Sequence, residues 1–193
     1  VLVEGGKRPR SDSEAEAIAK GAEAHLITYL ATHEDIETFS PEPPEEMRFA
    51  ELLKNFSKEE IAYYEFAKVV HQWNRHHGTK PNFEDYMKPY LDNDRRHSGW
   101  SDFDFSIAHM AEIENKIFNR EFNKDDFKFY DTVINPTITF SRINEVSRVE
   151  DSGLRDKYIL QQIEKFWQEG KNIFIVYGCS HAVMHEQAVR KLV

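Results

Sequence analysis

Three stretches of this sequence predict an α/β fold, a mainly parallel sheet flanked by helices, with a large helical insertion or cap. Toward the C-terminal end, Ile173-Phe174-Ile175-Val176-Tyr177 is an unbroken run of β-branched and aromatic residues that Gly178 stops. Such a run is the signature of a strand buried on both faces. At the other end, Val1-Leu2-Val3 is a second short apolar run, ending in Glu4-Gly5-Gly6. Between them, residues 45–129 carry helical periodicity almost throughout.

The elements follow in order. Ile18, Ala22, Leu26, Tyr29 and Leu30 share one helical face, and Gly21 is expected to split this stretch into two helices. Residues 36–41 read as a strand, because Ile36, Thr38 and Phe39 favour extension and Pro41, Pro43 and Pro44 forbid its continuation. A strand-helix-strand unit requires a right-handed crossover and parallel pairing, which puts Glu4 and Glu42 at one edge of the sheet. Ser57 and Glu60 form a capping box that opens a helix whose stripe is Ala62, Phe66, Val69, Val70 and Trp73. A shorter helix from Asn82, a loop over 92–102 and a helix bearing Ile107, Met110, Ile117 and Phe118 complete the insertion, set at 45–130. Residues 138–150 fit either an extended segment or a helix. The last long helix presents Ile159, Ile163, Phe166 and Trp167, and Gly170 closes it. The short connection makes this helix antiparallel to the strand at 172–177. Its first turn, with Arg155 and Asp156, is therefore expected beside Gly178 and His181.

Composition narrows the function classes. The chain of 193 residues is long enough for one α/β domain with an insertion, and 40% hydrophobic residues can fill its core. A net charge of −9 spread along the chain argues against nucleic acid or an anionic membrane as partner, since both reward clustered Lys and Arg. One cysteine, Cys179, cannot form an internal disulfide. With no run of transmembrane length and no visible signal peptide, the expectation is a cytoplasmic protein acting on a small-molecule or peptide substrate.

Ligands of open α/β sheets gather at the carboxyl ends of the strands, where Glu4, Glu42, Gly178 and His181 are expected. His181 alternatively caps the helix that begins at Ala182, and Arg155 with Asp156 alternatively pair with each other and water. His181 and His185, four residues apart, share a helix face and can bind one metal, though without a zincin-type His-Glu-x-x-His. Cys179 and Ser180 lack any motif that sets a base against them.

A strand ending in a carboxylate, a long helical stretch and a strand closing on Gly178-x-x-His181 resemble the superfamily of TraB, the Tiki proteases, ChaN-like haem-binding proteins and erythromycin esterases. Glu4 matches the family glutamate, and Gly178 with His181 matches its second Gly-x-x-His. The first Gly-x-x-His is missing, so the resemblance implies a truncated fragment with a further segment upstream. It implies a hydrolase of an ester, amide or related bond, with Glu4, His181 and Arg155 catalytic and Glu42, Gly178 and Asp156 binding substrate. The chain's own residues are expected to hold no tight metal. With the upstream histidine, the resemblance implies Mn²⁺, Co²⁺ or Zn²⁺. A ligand-binding protein for haem or metal, or a non-catalytic interaction protein, is the alternative.

Overall fold

The computed structural model describes residues 1–3 and 9–192, without the side chains at 22, 179 and 180. It is mainly helical, 63% helix against 3% strand, which overturns the expected α/β fold built on a mainly parallel sheet. The sheet consists of β1 (Leu2–Val3) and β2 (Ile175–Val176), paired in parallel with Leu2 opposite Ile175 and Val3 opposite Val176. The reason lies in what flanks β2. Its apolar run reads as a central strand, but among the described residues it pairs with β1 alone, and Phe174 within it is 58% exposed. Residues 36–41 do not form a strand either. Phe39 contributes one parallel bridge to Leu2, held by hydrogen bonds of 2.8 and 2.9 Å to the backbone of Val1 and Val3.

The chain divides into two compact units, Val1–Pro43 with Arg155–Val193, and Pro44–Leu154. The first contains β1, β2, α1 (Glu14–His33), α8 (Asp156–Gln168) and α9 (Cys179–Val189). Ser13 caps α1 by accepting from the Glu16 amide, and the helix runs through Gly21 without a break. Gly21 serves packing instead, since the His25 imidazole occupies the space a Cβ would need. The core here is small: Leu2, Ile159 and Ile163 are buried, with Phe166, Ile173, Ile175, Tyr177 and Val189 packed against them.

The second unit is a helical bundle of α2 (Glu45–Leu52), α3 (Lys58–Asn74), α4 (Phe83–Ser98), α5 (Ile107–Phe118), α6 (Phe127–Ile134) and α7 (Arg142–Arg148). The Ser57–Glu60 capping box opens α3, which packs against α4, α5, α6 and α7. Asn82, Ser106, Asp126 and Ser141 supply side-chain caps for the four helices that follow, so each start is written locally in the sequence. The loop expected over 92–102 is largely helix. α4 continues to Ser98, burying Leu91 and Asp94, and ends where Gly99 adopts φ 68°. The ambiguous stretch 138–150 contains α7, and a π-helical segment, Val149–Arg155, leads toward α8. An extra residue per turn of this kind is rare and recurs near functional positions.

Candidate functional site

The functional geometry lies in the first unit, where the start of α8 meets α9. β2 gives way at Gly178 to α9, which therefore presents its first turns at the strand's carboxyl end. His181 and His185 are one helical turn apart and face the same way, with ring centroids 5.7 Å apart. Asp156 comes from the first turn of α8. Its Oδ1 lies 3.0 Å from Nε2 of His185 and 3.5 Å from Nδ1 of His181. Tyr177 completes the wall, its ring centroid 5.8 Å from that of His181 and 6.2 Å from that of His185.

One ligand-type atom from each of Asp156, His181 and His185 falls within a sphere where all lie within 4.8 Å of one another. Two imidazole nitrogens and a carboxylate oxygen suit borderline divalent ions such as Zn²⁺ or Co²⁺. Three protein donors leave coordination positions open, the pattern of catalytic rather than structural sites. Burial points the same way: His185 is 4% exposed, and its Nδ1 has no hydrogen-bond partner among the described residues. A buried polar atom without a partner costs about 1–3 kcal/mol.

Beside the trio is a cavity of about 380 Å³ lined by Ile163 of α8, Ile175 and Tyr177 of the strand region, and one face of α9 from His181 to Arg190. The volume falls in the range of small-molecule sites.

The other residues expected at the site are distributed as follows. Glu4 lies outside the described residues. Arg155 and Glu42 come together as a two-pronged ion pair, Nε to Oε2 at 2.7 Å and Nη2 to Oε1 at 2.8 Å. Gly178 is the N-cap of α9, with φ −57° and ψ 143°. The antiparallel helix-strand argument thus placed Asp156 beside His181, but sequence reasoning gave Asp156 a substrate-binding role and gave His185 little weight. Asp156 and His185 stand 29 residues apart in the chain, on different helices; the i,i+4 histidine spacing and the nearness of Asp156 to His181 were visible in the sequence, and the bond from Asp156 to His185 was not.

A second cluster of charge lies wholly within the helical bundle. The Arg48 guanidinium contacts Glu65 at 2.8 Å and also contacts Glu150, while Lys68 reaches Glu65 at 2.9 Å and Glu150 at 3.2 Å. Burial opposes the charges of Arg48, Lys68 and Glu150. Even so, Lys68 and Arg48 hold the Glu150 carboxyl well below the usual range, and Glu65 and Glu150 hold Arg48 well above its own. Asp94 is the exception. Burial, reinforced by the nearby Glu65 charge, pushes its carboxyl up to about 8. A third buried group, Glu114, accepts from Tyr63 at 2.9 Å and Tyr130 at 2.8 Å. Cations and carboxylates here answer one another, the arrangement of a structural network.

No helix among the described residues is long and apolar enough to cross a membrane. Comparison with protein-family models, with curated proteins and with solved structures finds no match to this chain.

Proposed function

We propose that the protein is a hydrolase of an ester, amide or related bond, working at the carboxyl end of β2 with a divalent metal ion held by Asp156, His181 and His185. The single observation behind the reading is the convergence of these three donors beside a cavity of small-molecule size. A divalent ion in this place supplies Lewis acidity to a carbonyl and makes water more acidic. Asp156, from a neighbouring helix, bonds His185 at 3.0 Å and lies 3.5 Å from Nδ1 of His181, so the three donor groups already face one another.

In the reaction the oxygen of water bonds to the acyl carbon, the carbon–oxygen or carbon–nitrogen bond breaks, and one proton passes from water to the leaving atom. The resemblance to the Tiki and erythromycin-esterase superfamily gives that proton transfer to Glu4, a role worth about 10²–10⁴-fold. Arg155 is a positioning charge in this scheme, its fork held by Glu42.

The test begins with chelator-treated protein titrated with Co²⁺ and followed by its visible absorption. Wild type is expected to give the intense bands of a low-coordinate site. His181→Ala, His185→Ala and Asp156→Asn are each expected to weaken binding at least tenfold while circular dichroism stays unchanged. Metal-loaded wild type should then hydrolyse activated esters, and Glu4→Gln should lower turnover with Co²⁺ affinity preserved. Equal Co²⁺ affinity in wild type and all three ligand variants refutes the site. Tight metal binding without turnover on any ester or peptide tested assigns the protein to ligand binding instead.

A further inference from the structure

We infer that the cavity beside Asp156, His181 and His185 is a subsite for a medium-length apolar acyl group, which makes the substrate an ester or amide of such an acid. The choice of bond rests on the hydrolytic reading above; the binding of the acyl group does not.

The argument starts from the face of α9. Ala182, Glu186 and Val189 fall at i, i+4 and i+7 and line the cavity together with His181 and His185. From His181 to Val189 the helix rises about 12 Å, at 1.5 Å per residue. The imidazoles thus stand toward the start of α9, and Val189 extends the lining away from them, beside Glu186 and Arg190. Across from α9 stand Ile163 and Ile175, residues of the first unit's core region. The charged groups of the lining, Glu186 and Arg190, pair with each other at 2.9 Å, with side chains 56% and 76% exposed, so they look outward to solvent. A ligand with a charged tail gains nothing from this interior, whereas a chain of methylenes replaces water against four aliphatic side chains. Its polar end, a carbonyl or carboxylate, has one set of partners to meet, the imidazoles of the trio and whatever ion they hold.

The test uses the intact chain and straight-chain carboxylates from acetate through butyrate and hexanoate to octanoate, as analogues of the acyl product. Affinity is measured by calorimetry with and without Co²⁺. It is expected to rise about threefold to fourfold for each added methylene, as burial of CH₂ predicts, and to level off once the chain outgrows the cavity. Val189→Trp should abolish most of that rise, cutting octanoate affinity at least tenfold and leaving acetate and Co²⁺ affinity as in wild type. If the larger substitution disturbs folding, Ala182→Leu, at an exposed position in the same lining, should still cut octanoate affinity and flatten the chain-length dependence. Affinity that is flat with chain length in wild type overturns the inference by itself, with no variant required. So does octanoate binding that neither variant alters. Chain-length dependence without turnover would leave this subsite standing and remove the hydrolase; turnover with flat chain-length dependence would do the reverse.

Discussion

Asp94→Asn should make the protein more stable at neutral and alkaline pH while leaving it nearly unchanged at about pH 4, with the gap opening as pH rises between about 4 and 8. Asp94 lies on α4, is 7% exposed, and its carboxyl is pushed up to about 8 by burial first and by the Glu65 charge second, against the opposing pull of Lys68 and Arg48. In the unfolded chain the same group titrates near ~3.9. Between these values the folded state holds a proton that the unfolded state has released, so stability falls as pH climbs through the window. Each pKa unit is worth about 1.4 kcal/mol, and a rise of about four units sets a ceiling of roughly 5–6 kcal/mol. Relaxation and water entry reduce such penalties substantially, and ~2–3 kcal/mol is the expected loss between about pH 4 and pH 9. Asparagine keeps the shape of the protonated acid without its charge. Urea denaturation read by tryptophan fluorescence is the assay, because Trp73 and Trp100 are buried in the same bundle whereas Trp167 is 44% exposed. Glu150 does not confuse the result: its carboxyl is held low, so its contribution is lost only on acidification below the window. Wild type and variant losing stability in parallel up to pH 9 would refute the placement of a neutral acid at Asp94.

Three further outcomes follow from named contacts. Tyr130→Phe removes the 2.8 Å bond to Glu114 and leaves that buried carboxylate relying on Tyr63 and Arg120; a loss of about 1–3 kcal/mol is expected in denaturant midpoints, and no loss would mean the carboxyl is satisfied otherwise. Ser57→Ala breaks the capping box at the start of α3, lowering thermal stability by about 1 kcal/mol, with Ser57→Asp retaining most of it. Arg155→Lys replaces a planar fork by a point charge opposite Glu42; the fold should survive with a loss of about 1 kcal/mol or less, while affinity for an anionic ligand falls, and unchanged affinity for such a ligand would confine Arg155 to structure.

The sequence by itself determined the local signals. The capping box at Ser57, the stripe of α3 and the apolar face of α8 are each carried by residues within a turn or two, so periodicity and capping chemistry suffice to read them. The strand-helix-strand order of residues 1–41 survives only as the single parallel bridge between Leu2 and Phe39, and the pairing of Leu2 with Ile175 and Val3 with Val176 was decided by the tertiary structure. Fold class was not legible. An apolar run such as 173–177 looks the same whether a strand lies on each side of it or on one, and strand neighbours are a property of distant chain. The helix through 92–98 was hidden by its charged surface, Asp92, Asn93, Arg95 and Arg96, which resembles a loop until the burial of Leu91 and Asp94 is known. Gly21 misled for the reverse reason: glycine breaks isolated helices, but here the missing Cβ makes room for His25. The site shows the same division. Two histidines four residues apart are a pattern in one helix, and only packing α8 against α9 puts the Asp156 carboxylate between them.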